Sequence, residues 1–71
     1  MLRMAAIGCG YWGPNLIRNF NNHPDVQLIK ICDMDEKRRV HMAGLYPSVE
    51  VIADHNKIIN DDSIDAVVVA T

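Results

Sequence analysis

Apolar positions fall along the chain in blocks that change period. Leu2, Met4, Ala5, Ala6 and Ile7 form a short apolar run that stops at Gly8, as a buried strand does. From Pro14 to Asn22 the apolar residues Leu16, Ile17 and Phe20 recur at helical spacing, and Pro14 suits a first turn, where its missing N–H is not needed. Pro24 forbids continuation, so His23-Pro24-Asp25 is a predicted turn. Val26 to Cys32 then reads as a second strand, with Val26, Leu28, Ile29 and Ile31 supplying both faces. Asp35 is placed to cap a helix over Glu36–Leu45, with Val40, Ala43 and Leu45 as its inner stripe and Gly44 as its stop. Ser48 to Ile52 is a brief third strand. Asp54 caps a short helix whose Ile58 and Ile59 face inward, and Asn60-Asp61-Asp62-Ser63 is a solvated polar loop. Asp65 leads into a fourth strand, residues 66–70.

The predicted order is β-α-β-α-β-α-β, and strands alternating with helices imply a parallel sheet covered on both faces. The run Val67-Val68-Val69 fits a strand buried on both sides. The 71 residues read as one unit, with no linker, repeat or low-complexity segment.

Composition narrows the partners. With 49% hydrophobic and 23% charged residues and a net charge of −2, nothing in the electrostatics favours nucleic acid or an anionic membrane. Lys37-Arg38-Arg39 is a local basic cluster on one helix, read as a solvated face. No stretch approaches the roughly 18 apolar residues of a membrane span, and the amino terminus lacks a cleavage pattern. Cys9 and Cys32 have neither metal-ligand spacing nor the numbers of a disulfide scaffold. A reduced, cytoplasmic protein is expected, with both cysteines as small buried fillers. His23, His41 and His55 are read as surface residues without a catalytic role.

The candidate chemistry lies in Gly8-Cys9-Gly10-Tyr11-Trp12-Gly13, a Gly-x-Gly-x-x-Gly loop. Alone the motif is weak. Here an apolar strand precedes it, a helical pattern follows it, and a second strand ends in Asp33, 20 residues beyond Gly13. That context predicts a Rossmann-type, doubly wound parallel sheet with strand order 3-2-1-4. Gly8 permits the turn off the first strand, Gly10 lets a pyrophosphate approach the backbone, and Gly13 lets the helix pack closely on the sheet. The N–H groups near Tyr11, Trp12 and Gly13 are orphan donors of a helix start, aimed at phosphate and helped by the helix dipole. Tyr11 and Trp12 fit a wall beside the nicotinamide or substrate equally as well as core or interface packing. Asp33 can accept hydrogen bonds from the adenosine ribose hydroxyls and repels a 2′-phosphate, which favours NAD over NADP. Arg38 would welcome that phosphate but is expected on the far side of an acidic loop. An FAD domain opens with a similar loop, but its second strand usually ends in glutamate.

The string Ile7 to Phe20, IGCGYWGPNLIRNF, resembles the N-terminal domain of the glucose–fructose oxidoreductase and myo-inositol dehydrogenase family. Cys32-Asp33-Met34-Asp35 before a charged helix, Tyr46-Pro47-Ser48-Val49 and Asp65-Ala66-Val67-Val68-Val69-Ala70-Thr71 are similar too. The resemblance is greatest to members acting on nucleotide-linked sugars. It implies a hydride moved between NAD and a sugar or nucleotide-sugar carbon, in a protein that is homo-oligomeric at full length. By position it places Gly8, Gly10, Tyr11, Trp12, Gly13, Asp33 and Thr71 around the cofactor. The family's catalytic lysine, in a Glu-Lys-Pro segment, and its catalytic histidine have no counterpart in these residues, so no catalytic residue is assigned. Residues 1–71 are therefore expected to be the first part of a dinucleotide-binding domain, with further strands and a substrate domain beyond Thr71. A non-catalytic NAD-binding regulator or scaffold shares every one of these features. The outer edge of the fourth strand is expected to be unpaired and prone to self-association.

Overall fold

The computed structural model describes residues 1–8 and 13–70, and of Gly13 and Pro14 only the backbone. The elements are β1 (Leu2–Ile7), α1 (Gly13–Asn21), β2 (Val26–Cys32), α2 (Glu36–Leu45), β3 (Glu50–Ile52), α3 (Asn56–Ile59) and β4 (Ala66–Val69). The strands form one sheet in the order β3-β2-β1-β4, and each neighbouring pair is parallel. This is the Rossmann-type order read from the sequence.

Alternation along the strands builds two apolar layers. Successive strand residues point to opposite faces, so Ala6 and Ile31 meet Ile17 of α1 and Met42 of α2 on one side. Ala5 and Cys32 meet Ile58 of α3 on the other side. Ala5 and Ala6 are completely buried because β1 is the central strand, flanked by β2 and β4 and covered above and below. The chain lays down β1, β2 and β3 outward in one direction, then returns across the sheet to place β4 on the free side of β1. That reversal leaves a crevice at the carboxyl ends of the strands, where open α/β sheets bind ligands.

Local chemistry sets the joints. His23 Nδ1 accepts the Asp25 N–H at 3.1 Å, and the Val26 N–H reaches the His23 carbonyl at 3.2 Å, closing the turn at Pro24. One residue, Ile29, is extra in β2 opposite the Met4/Ala5 junction, so pairing shifts from Met4 with Leu28 to Ala5 with Lys30. Arg3 and Asp65 tie β4 to β1: the Arg3 N–H donates to the Asp65 carboxylate at 2.9 Å and the Asp65 N–H to the Arg3 carbonyl at 2.8 Å. The Arg3 side chain beside it holds the Asp65 carboxyl below the usual carboxylate range.

Four expectations are corrected. In α2 the buried residue is Met42, not Val40, Ala43 or Leu45, all of which are exposed. Asp35 fixes the helix start by accepting the Lys37 N–H at 2.9 Å, and the resulting phase turns Met42 to the sheet. Gly44 lies inside the helix, which ends where the Tyr46 N–H returns to the Met42 carbonyl. In α3 only Ile58 is buried, since four residues make one turn and present one side; Ile59 is exposed. Asp61 does not sit in a solvated loop. Its carboxylate meets Lys30 Nζ at 2.6 Å, against the sheet face under α3, with Glu50 at 3.5 Å from the same ammonium.

Candidate functional site at the strand carboxyl ends

The first strand ends at Gly8, whose φ of 89° lies in the left-handed region that side chains avoid. The Gly8 N–H bonds the Cys32 carbonyl at 2.7 Å, the Asp33 N–H the Ile52 carbonyl at 3.1 Å, and the Ala70 N–H the Ile7 carbonyl at 2.8 Å. These bonds carry the parallel pairing past the last strand residues and gather four chain ends at one edge. Gly13 opens α1, whose first N–H groups have no intrahelical partner. Gly10, Tyr11, Trp12 and Thr71, proposed around the cofactor from the sequence, lie outside the described residues, as does Cys9.

Asp33 follows β2 directly and is 7% exposed, so it is not a solvated loop residue. Its Oδ1 accepts the Asp35 N–H at 2.8 Å, which orients the carboxylate. Its carbonyl accepts from Arg39 Nη1 at 2.8 Å, which pins the loop to α2. A cavity of about 320 Å³ opens beside it, within the range of small-molecule sites. Ile7 and Cys32 give the cavity apolar surface, and Gly8 brings bare backbone to it. Met34 and Arg38 line it from the β2–α2 segment and His55 from the β3–α3 segment. Two of these differ from expectation. Arg38 shares the cavity with Asp33 rather than lying beyond an acidic loop, because that loop folds back on itself and α2 starts within reach; Arg38 Nε is 3.9 Å from Asp35. His55, read as a plain surface residue, is exposed but borders the site. The signal that could have found it is positional: ligands contact the segments following strand carboxyl ends, and His55 stands three residues after β3.

Cys32 is buried and its thiol donates to the Ala53 carbonyl at 3.5 Å. Burial pushes the thiol pKa up, and the charges of Asp33 and Asp54 add to the rise, outweighing the opposing Arg39. A thiol held protonated is a poor nucleophile, so Cys32 is filler in the site floor, as its sequence context suggested. Among the described residues no group of three His, Cys, Asp or Glu side chains could hold a metal ion. No helix among them is long and apolar enough to cross a membrane.

A glycine turn, a helix start and a buried acid now stand at one sheet edge, and residues 2–71 match the model of the Gfo/Idh/MocA oxidoreductase family, NAD-binding Rossmann fold. The chain belongs to this family. Solved structures agree in fold. A probable dehydrogenase from Thermotoga maritima superposes with a TM-score of 0.89 at 30% identity, over 99% of this chain and 21% of that one. GenD2 from gentamicin A biosynthesis, in complex with NAD, gives 0.87 at 28% identity, over 99% and 20%. The K102A mutant of KijD10, a 3-ketoreductase from Actinomadura kijaniata in complex with TDP-benzene and NADP, gives 0.84 at 18%, over 99% and 22%. No curated protein matches. The chain thus spans about a fifth of the length of these solved structures, and it supplies a nucleotide-binding domain of a fold that holds NAD in one of them and NADP in another.

Proposed function

We propose that residues 1–71 are the first part of the cofactor-binding domain of an NAD-dependent dehydrogenase that moves a hydride to or from a carbon of a sugar or nucleotide-linked sugar. The observation that carries this reading is Asp33: a buried carboxylate, held by the Asp35 N–H, at the end of β2 beside the glycine turn. In this reading Gly8, Gly10 and Gly13, with the N–H groups near Tyr11 and Trp12, hold the pyrophosphate, Asp33 takes the ribose hydroxyls, and Thr71 lies beside the cofactor. Bound NAD supplies or accepts the hydride. These residues bind and orient; none is offered as acid, base or nucleophile.

Arg38 is the one observation on the side of NADP, and magnitudes decide against it. Its side chain is half exposed and already leans toward Asp35, so its attraction for a phosphate about 4 Å away is near the aqueous value of about 1 kcal/mol per charge pair. Asp33 is buried, where the same separation costs roughly 4 kcal/mol of repulsion at an effective dielectric of 20. The sugar substrate is supported by the resemblance of residues 7–20 and 65–71 to nucleotide-sugar dehydrogenases. A cytoplasmic, homo-oligomeric enzyme is the setting proposed with it. Titration of the protein with NAD, NADP and FAD tests the reading. NAD is expected to bind at least tenfold tighter than NADP, with FAD not bound; NADP binding as tightly as NAD overturns the ribose assignment to Asp33.

A further inference from the structure

Asp33 is aimed by bonds on both sides of its Cα. Its N–H donates to the Ile52 carbonyl at 3.1 Å, which fixes the peptide plane before it. Its carbonyl accepts from Arg39 Nη1 at 2.8 Å, which fixes the plane after it. A residue has only two soft backbone dihedrals, so two fixed planes set the direction of its Cα–Cβ bond. The Asp35 N–H on Oδ1 then settles the carboxylate. Ile52 and Asp35 act here through backbone groups, which almost any sequence offers. Arg39 acts through its side chain.

The local fold delivers that side chain. Asp35 starts α2 by accepting the Lys37 N–H, and the Arg39 N–H closes the first turn on the Asp35 carbonyl at 3.0 Å. This phase leaves Lys37 and Arg38 exposed and turns Arg39, half-buried, back toward the end of β2. The Asp33 carbonyl lies one residue past that end, and Arg39 takes the donor's part that a neighbouring strand plays within the sheet. A charged donor makes the bond stronger than a neutral one would. Arg39 does not line the cavity. We propose that Arg39 is a positioning residue for nucleotide binding: through the Asp33 carbonyl it holds the carboxylate in the attitude that meets the ribose hydroxyls. This role rests on the dinucleotide reading above and extends the site to a side chain that touches no ligand.

Dissociation constants of NAD and NADP for the wild type, Arg39→Met, Arg39→Lys, Asp33→Asn and the double variant Arg39→Met/Asp33→Asn test it. Arg39→Met keeps an apolar stem and removes the donor. It is expected to weaken NAD roughly tenfold, within the coupling found inside one hydrogen-bond network. NADP is expected to hold or tighten, because the carboxylate only repels its phosphate. Arg39→Lys keeps a charged donor and is expected to recover most of the loss. In the Asp33→Asn background, Arg39→Met is expected to weaken NAD by about threefold at most, since a neutral acceptor loses less when misplaced. Thermal midpoints check that each variant is folded at the binding temperature; Arg39→Gln repeats the comparison if methionine fails that check. Additive losses in the double variant overturn the proposal, because a residue that merely supports the fold acts whatever stands at position 33. So does a lysine variant as weak as the methionine one. A fall in NADP affinity as large as that in NAD also overturns it. If the wild type binds no NAD, the dinucleotide reading falls and this role with it; if NAD binds and Arg39→Met changes nothing, only this role falls.

Discussion

Asp33 combines burial, a fixed hydrogen bond and a charge, and these can be separated by substitution. Asparagine keeps an oxygen to accept the Asp35 N–H at 2.8 Å and removes only the charge. Asp33→Asn is therefore a cleaner probe than serine, which would also release the loop. Bonds to a charged acceptor are worth about 1.5–3 kcal/mol and neutral ones about 0.5–1.5. NAD should weaken by roughly tenfold, and the loss of repulsion should draw NADP closer by a similar factor. Paired dissociation constants for NAD and NADP check this; an unchanged ratio means that Asp33 does not face the ribose. Asp33 was legible in the sequence because its signal is local, an acid at the end of an apolar run at fixed distance from a glycine loop. His55 and Arg38 were not. Each enters the cavity only after β3 has paired with β2 and the Asp33–Arg39 segment has folded back through the Arg39 bond to the Asp33 carbonyl, contacts that no local spacing encodes.

At the scale of elements, amphipathic strength decided what could be read. Leu16, Ile17 and Phe20 mark the inner side of α1, and Ile17 is fully buried with the other two half-buried. Helix α2 mixes Lys37, Arg38 and Arg39 with scattered apolar residues, so its phase was open until Asp35 fixed it; Val40 is 67% exposed while Met42 is 1% exposed. The polar segment after α3 hid its anchor for a related reason. Lys30 stands in the middle of an apolar strand, and only the bulge at Ile29 sets it on the α3 face beside Glu50 and Asp61. Lys30 and Ser63 hold the Asp61 carboxyl far below the usual range, through hydrogen bonds first and charge second, while Asp61 raises the Lys30 pKa. A carboxyl depressed in the folded state contributes stability above its unfolded pKa, about 3.9, and loses it as pH falls toward the folded value. The raised lysine contributes below about 10.4 and is lost only in alkali. Asp61→Asn should thus lower the thermal midpoint at pH 7, and the gap to wild type should narrow steadily as pH falls from 4 to 2.5. A gap constant over that range would assign the loss to packing instead of charge.

For the whole molecule the strand order follows from sequence pattern plus handedness: three βα units laid side by side, with the polar Asn60–Ser63 segment sending the chain back across the sheet. What pattern alone misjudged is the burial of β4. Val67-Val68-Val69 reads as a strand covered on both faces, yet Val67 is 43% and Val69 63% exposed, while Val68 packs on the α1–α2 side. The short α3 covers Ala5 and Cys32 and does not extend over β4. Among the described residues β4 pairs only with β1, so one edge offers unpaired N–H and C=O groups next to exposed valines. Such an edge is a template for another strand, and a lysine on it is a common natural deterrent. The 71-residue polypeptide is therefore expected to self-associate, with a sedimentation coefficient that rises with concentration. Val67→Lys places a charge in mid-strand, away from the cavity and on a side chain outside both apolar clusters, so the variant should keep the fold. It should also sediment as a monomer over the same concentrations, because two such edges brought together set like charges against each other. Equal association by wild type and Val67→Lys would move the contact away from β4, and the exposed Val40 and Leu45 on α2 would be the next surface to alter.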